Sequence, residues 1–484
     1  MRPGTKVAYS STLAPAVVAA LLAWFVQGWV TAVAEERPAS ARKPNFVFIL
    51  ADDWGWGDLG CYGHRQLKTP NLDRMARQGV LFTQFYVCSG VCSPSRTAFM
   101  TGHFPARHSI HGHLATPQQN AERGMPNFLD PAVPTVTRLL QKAGYVTGHF
   151  GKWHLGHNPG APEPSAYGLD VYRSLVVGNG PELDRTVPHW RARSSQTLVD
   201  DTIQFIEANR GRPFYVQTWL LDTHATLDPT EEQMKPYNRY APGDVSHKGA
   251  MQIYYAAATA ADAQIGRLLD KLDELGLAEN TVVIFSSDNG PEEILISNAS
   301  HSGIGSPGPF RGRKRSLYEG GVRLPFIVRW PTGSPAGRVD STTVLSAVDF
   351  LPSLCRLAGV ALAADVDLDG EDMSAALRGQ PAERAKPLMW EWRFGVYGHV
   401  LNRSPMLSIR QGRWKLLMNP DRSRVELYDI PADPSELNNL ADRHSEVVAR
   451  LSERLLAWQA TLPKGPVEPA AGANDYPWPQ PGKR

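Results

Sequence analysis

Several things are scarce in this chain, and each scarcity excludes something. Four cysteines among 484 residues, at Cys61, Cys88, Cys92 and Cys355, are too few for a disulfide-dense scaffold. They also lack the paired short spacings of a structural zinc site, although Cys88 and Cys92 stand close enough in sequence to bridge or to share a metal. Neither sign of charge is in surplus: 50 Lys and Arg face 48 Asp and Glu. No nucleic-acid partner is expected from that balance, and any anion recognition must come from a local cluster of cations. No segment repeats, and beyond the N-terminus no stretch is apolar enough to span a bilayer.

The exception at the N-terminus reads as an export signal over residues 1–34. Arg2 and Lys6 precede an apolar run from Leu13 to Val30, and Ala32-Val33-Ala34 puts small residues where a signal peptidase cuts. Cleavage near Ala34/Glu35 would make the protein periplasmic, secreted or lumenal. Left uncleaved, the same run would anchor it in a membrane. Residues 35–43, EERPASARK, form a polar linker.

From Asn45 the pattern alternates. NFVFIL, YVTGHF, PFYVQTWLL and TVVIFSS are short apolar runs suited to buried strands. TPNLDRMARQG, TVTRLLQKAG and the long stretch from Met251 to Leu275 carry apolar residues at helical spacing and stop at glycine. The expected fold is α/β, a large mostly parallel sheet sandwiched by helices, over residues 44–370. After Gly370 the character changes. Short strands around LSIRQGRWKLL and an amphipathic helix in HSEVVARLSERLLAW predict a smaller α+β domain over 371–465, and residues 466–484 are a Pro-rich tail.

The chemistry-bearing residues follow strand ends, where ligand sites form in open α/β sheets. Asp52 and Asp53 follow the first strand, Lys152 and His154 the next, His224 another, and Asp288-Asn289 the last. Three carboxylates and an amide oxygen make a hard-oxygen set suited to Ca²⁺ or Mg²⁺. Taken singly, DD and DN are also ordinary turn residues. Arg96 offers a planar fork to an oxyanion. In CSPSRTAF, Ser93 suits a helix N-cap and Pro94 the first helical position, which puts Cys92 beside a helix N-terminus.

These segments, in order, resemble a formylglycine-dependent (type I) sulfatase of the alkaline phosphatase superfamily. CSPSR from Cys92 to Arg96 matches the family's C-x-P-S-R signature, and GKWHLG from Gly151 matches a second. PNFVFILADDWGWGDLGCYG, SSDNG, GRKRSLYEGGVRLPFIVRWP, GRWKLL and ELYDIPADPSELNNL match further family segments from about Asn45 to Leu440. DTHA and GSPGPFRGRKRSLYEGG look most like the N-acetylgalactosamine-6-sulfatase branch. The segment LDTHATLDP lacks the proline that many members carry soon after this histidine, so the chain departs from the pattern at His224.

The resemblance implies a sulfuric ester hydrolase acting on a sulfated carbohydrate. It implies that a formylglycine-generating or equivalent maturase oxidises Cys92 to Cα-formylglycine, whose hydrate is the nucleophile. It also implies one Ca²⁺ per chain on Asp52, Asp53, Cys92, Asp288 and Asn289, with Arg96, Lys152, His154, His224 and Lys314 around the sulfate. In that scheme one diol hydroxyl attacks sulfur, His224 and Lys314 protonate the leaving alcohol, and His154 takes the proton of the second hydroxyl as sulfate is expelled from a sulfated-enzyme intermediate. A phosphodiesterase or phosphonate hydrolase of the same superfamily, and a catalytically inactive glycan-binding protein, are the alternatives. Relatives that cleave phosphate diesters or phosphonates typically carry histidine where this chain has Asn289.

Overall fold

A computed structural model describes residues 43–175, 189–241, 248–293, 301–363 and 366–474. The expected export signal and residues 475–484 of the tail lie outside the described residues. Among the described residues, thirteen strands run β1 (Asn45–Ala51), β2 (Val80–Tyr86), β3 (Val146–Lys152), β4 (Val171–Leu175), β5 (Phe214–Trp219), β6 (Thr281–Ser287), β7 (Arg323–Arg329), β8 (Arg338–Asp340), β9 (Leu345–Ser346), β10 (Leu388–Glu391), β11 (Leu407–Gln411), β12 (Trp414–Met418) and β13 (Glu426–Asp429). The first nine form one sheet in the order β4-β3-β5-β1-β6-β7-β2-β8, with β9 also on β2. β3, β4, β5, β1 and β6 pair in parallel, and β7 runs against both its neighbours.

Why β1 sits at the centre is visible in its side chains. All seven of its residues are buried. Phe46, Phe48 and Leu50 enter one core, with Phe99, Leu140 and Leu354 from the helices on that face. Val47, Ile49 and Ala51 enter the other, with Leu72, Ile206 and Leu268. A strand covered on both faces has no place for polar residues, so it reads as a continuous apolar run. The helix expected from Met251 spans Lys248–Glu274, and Gly276 follows it with φ +66°, the left-handed conformation that ends helices.

Five strands of the large sheet, β2, β4, β7, β8 and β9, escaped the sequence reading. β2 carries Thr83 and Gln84 mid-run, and β7 contains Pro325, which argues against a central strand. The sheet accommodates the proline with a bulge: the β2–β7 register passes from Phe82↔Phe326 to Phe85↔Leu324, so Pro325 faces no ladder partner on β2. Its carbonyl accepts from Ser286 Oγ at 3.0 Å on the other side.

β10–β13 form a separate antiparallel sheet in chain order, covered by the helix Ser445–Ala460. Leu407, Ile409 and Leu416 of this sheet and Leu451 and Leu455 of the helix belong to the same core as Phe48. A buried charge cluster joins it to the large sheet. Lys415 Nζ lies 2.9 Å from Glu319 Oε1 and 3.0 Å from Glu436 Oε1, with all three side chains at 0% exposure. The segment from Arg311 to Glu319 is held along its length: Arg311 lies 3.8 Å from the Tyr318 ring and donates to the Leu401 carbonyl at 2.7 Å. Leu317 N donates to Ser404 Oγ at 2.9 Å, and Glu319 N to Glu436 Oε2 at 2.6 Å.

Removing Lys415 leaves Glu436 buried without its ion-pair partner, while Glu319 keeps Arg323. Lys415→Met is therefore expected to destabilise the protein by about 3–5 kcal/mol, read as a lower denaturant midpoint. An unchanged midpoint would show that the cluster does not tie the small sheet down.

Candidate active site

The carboxyl ends of β1, β5 and β6 are laced together by their backbones. Asp52 N donates to the Asp222 carbonyl at 3.0 Å, Thr223 N to the Asp52 carbonyl at 2.7 Å, and Asp288 N to the Ala51 carbonyl at 3.2 Å. Asp53 takes φ +65° and turns the chain, and its N–H donates to Asp288 Oδ1 at 3.3 Å. This lacing brings Asp52, Asp53, Asp288 and Asn289 into one place, each no more than 1% exposed.

Three cations meet them. Lys152 Nζ lies 2.6 Å from Asp52 Oδ2, and Lys314 Nζ lies 2.7 Å from the Asp53 carboxylate. Arg96 clamps Asp288 Oδ2 through Nε at 3.0 Å and a terminal nitrogen at 2.7 Å, and its other terminal nitrogen donates to the Lys152 carbonyl at 2.5 Å. Trp219 lies under the guanidinium at 5.0 Å. Lys152 reaches its place because Gly151 precedes it: at φ +125° a Cβ there would lie 1.8 Å from the Trp219 carbonyl oxygen.

Electrostatics follow from burial and these pairs. Burial alone would raise the Asp52 carboxyl, but Lys152, with His224, Arg96 and Lys314, holds it well below the usual range. Burial, with repulsion from Asp52, pushes Asp288 up to about 6 despite Arg96. Burial opposes the charge on Lys314, yet Asp53 and Glu292 hold it above its ordinary value. Burial lowers His154 well below its usual value, with Lys152 adding to the effect, and takes His224 down to about 4, helped by Lys314.

Cys92 is the first residue of the helix Cys92–Thr101, so the helix starts earlier than Ser93 and Pro94 suggested. The cap is the extended Val91, and the Ser93 hydroxyl instead accepts from Leu114 N at 3.0 Å. A short polar side chain before a proline is a capping signal, but here tertiary bonding to Leu114 takes the hydroxyl. Burial raises the Cys92 thiol. All four cysteines are free, so the Cys88–Cys92 bridge is not formed, and Cys88 Sγ instead lies 3.5 Å from Ser346 Oγ.

Cys92 lines a cavity of about 420 Å³ together with His113, His154, His224, Glu292, Lys314 and Arg315. His154 Nε2 lies 3.0 Å from the Leu114 carbonyl, which makes it the protonated nitrogen and leaves Nδ1, buried and without a partner, as the acceptor. His224 Nε2 lies 4.0 Å from Asp53 Oδ2, and its Nδ1 meets the Ala225 carbonyl at 2.8 Å. The loop without the family's proline thus still delivers His224 to the cavity. Every residue singled out in the sequence is here, either in the charge cluster or on the cavity wall.

Two were missed. Glu292 lies 3.3 Å from Lys314 Nζ and 2.5 Å from a terminal nitrogen of Arg315. Both are close in sequence to flagged residues, Asp288 and Lys314, and that adjacency was the only available signal.

The donor set keeps two unpaired oxygens that a metal would use. Asp52 Oδ1 and Asn289 Oδ1 are buried with no hydrogen-bond partner. Ligand atoms of Asp52, Asp53 and His224 lie within 4.8 Å of one another. Unsatisfied buried oxygens are rare, and two beside three carboxylates fit a hard cation such as Ca²⁺. The His224 nitrogen is the one donor in that group that such an ion does not favour.

Comparison with known proteins identifies the family. A family model described as Sulfatase matches residues 44–360, and one described as N-sulphoglucosamine sulphohydrolase, C-terminal, matches residues 310–461. The chain is 34% identical to dog N-acetylgalactosamine-6-sulfatase over 396 residues, covering 75% of this chain and 72% of that protein. It is 34% identical to human arylsulfatase A over 486 residues, covering 90% and 92%. A solved structure described under the metabolism of multiple glycosaminoglycans by Bacteroides thetaiotaomicron superposes with a TM-score of 0.71 at 27% identity, covering 87% of this chain and 100% of that one. With the alkaline phosphatase-like sheet, these matches place the chain in the sulfatase family, whose members are sulfuric ester hydrolases.

Proposed function

We propose that the chain hydrolyses sulfate esters of a sulfated carbohydrate at the cavity lined by Cys92, with residue 92 converted to formylglycine and Ca²⁺ held by Asp52, Asp53, Asp288 and Asn289. The observation that carries this reading is the meeting, at one helix start and three strand ends, of Cys92 with buried hard oxygens and Arg96, Lys152 and Lys314. The carbohydrate is supported by the name of the dog relative.

As a cysteine, residue 92 suits this work poorly, because burial favours its protonated thiol. Converted, it would supply a geminal diol, with one hydroxyl to attack sulfur and a second to expel the sulfate. Bound Ca²⁺ would stabilise negative charge on the sulfate oxygens and favour ionisation of that attacking hydroxyl.

The protein's own groups then divide the remaining tasks. Lys152 and Lys314 present fixed positive charge where charge grows on the sulfate oxygens. Arg96 orients Asp288 and, through the Lys152 carbonyl, the end of β3. Asp288 accepts the proton of the attacking hydroxyl. Lys314 faces the cavity and donates a proton to the departing sugar oxygen, with His224 on the same wall. His154 Nδ1, kept as an acceptor by the Leu114 carbonyl, takes the proton that leaves the second hydroxyl.

Mass spectrometry of the peptide containing Cys92 from the native source should show an aldehyde, and Cys92→Ala should lower sulfate release from a 6-sulfated amino sugar by on the order of 10⁴-fold or more. A thiol in every molecule of an active preparation would sink the mechanism. Lys314→Met should cost about 10²–10⁴-fold on a sugar sulfate and much less on 4-nitrophenyl sulfate, whose leaving group needs no proton. Equal losses on both would remove Lys314 from proton donation. Metal analysis should find one calcium per chain in the native protein and none in Asp53→Asn. Chelation should abolish turnover, with recovery on adding Ca²⁺.

A further inference from the structure

Arg410, on β11, is 3% exposed. Four other guanidiniums buried to a similar degree, Arg96, Arg323, Arg329 and Arg393, each lie within 3.2 Å of a carboxylate, while Arg191 donates to the Leu221 and His224 carbonyls. Arg410 has no carboxylate at that distance among the described residues. Its terminal nitrogens donate to the Tyr86 hydroxyl and to Gln84 Oε1, and its Nε is buried without a partner. The Tyr86 hydroxyl gives its own proton to Glu319 at 2.6 Å, and Glu319 already faces Arg323 and Lys415. Glu436 faces Lys415. Arg323, Arg410 and Lys415 therefore stand against two carboxylates, and the surplus charge is that of Arg410. Burial lowers its pKa to about 9, with only Glu436 opposing. A buried charge with no counter-charge is costly, and proteins pair it or ligate it.

Beside Arg410 opens a cavity of about 230 Å³, lined also by Gln84, Arg384, Lys386, Arg413 and the exposed Glu383. It shares no lining residue with the Cys92 cavity. Arg384 is held by Asp349 and Glu371, and Arg413 by Asp429. Lys386 Nζ donates to the Leu368 carbonyl at 2.6 Å and the Gly370 carbonyl at 3.3 Å. Arg384 and Arg413 are thus matched by carboxylates, which leaves Arg410 and Lys386 as the lining cations without an ion pair among the described residues.

We propose that this cavity is a second oxyanion site, with Arg410 as its floor, that takes a sulfate group, either as the free ion or as an ester on a glycan. The planar fork of a guanidinium matches two oxygens of a tetrahedral anion, and its three unused N–H groups are the donors that such a ligand satisfies. The site stands apart from the chemistry at residue 92 and does not depend on it.

Crystals of the full chain soaked in sodium selenate, with anomalous diffraction at the selenium edge, locate such an ion directly. A selenium peak within hydrogen-bond reach of Arg410 is expected, and its loss in Arg410→Gln crystals. Selenium confined to the Cys92 cavity, or found nowhere, overturns the proposal. Should Arg410→Gln fail to fold, Arg413→Glu places a carboxylate on the exposed rim instead. By equilibrium dialysis that variant should bind one selenate per chain fewer than the native protein, and an equal count overturns the proposal. Soaks with a sulfated oligosaccharide separate the two sources. Sugar density continuous with the sulfate at Arg410 identifies the ester, and sulfate density alone identifies the free ion.

Discussion

The structure depends on keeping three carboxylates buried at the ends of neighbouring strands. Asp52, Asp53 and Asp288 would repel one another and lose their water if left alone. Each is matched by a cation that arrives from elsewhere in the chain: Lys152 from the end of β3, Lys314 from the loop before β7, and Arg96 from a buried helix. The pairs are 100, 261 and 192 residues apart in sequence. The cluster can therefore form only once the sheet order and the helix placement are both in place. It couples the fold to the site, since an error in either leaves a buried charge unpaired.

The same constraint explains the small C-terminal sheet. Lys314 lies on an irregular segment, and irregular segments do not hold a side chain by themselves. The bonds of Arg311, Leu317, Tyr318 and Glu319 to the small sheet and its connections fix both flanks of Lys314. The two sheets therefore share one core, and the second acts as a brace for a residue of the first.

How much of this could be read from the sequence depended on whether a residue's role was local. The central strands were legible because burial on both faces leaves an apolar run with one meaning. β2 and β7 were not, because Pro325 is tolerated only through a bulge on the opposite strand, and Gln84 only because Arg410 and the Ser341 carbonyl meet its amide. Those are properties of a pair of segments far apart in the chain. Asp52, Asp53, Asp288 and Asn289 were legible by position, since polar residues at successive strand ends must converge on one rim. The start of the helix at Cys92 was misplaced because Ser93 and Pro94 carry a local capping signal that a bond to Leu114 overrides.

Glu292 shows what convergence alone does not supply. Beyond its nearness to Asp288 it carries no local signal, yet it shares Lys314 with Asp53 and pins Arg315 to the cavity wall. Burial opposes its charge, while Lys314 and Arg315 hold its carboxyl well below the ordinary range. A carboxylate on the wall of a pocket for an anion is unfavourable unless cations outnumber it. Here Lys152, Arg96, Lys314 and Arg315 stand against four carboxylates, so the protein groups alone are close to neutral. An anionic substrate then needs positive charge from outside the polypeptide, and the unpaired oxygens of Asp52 and Asn289 mark where it would be held.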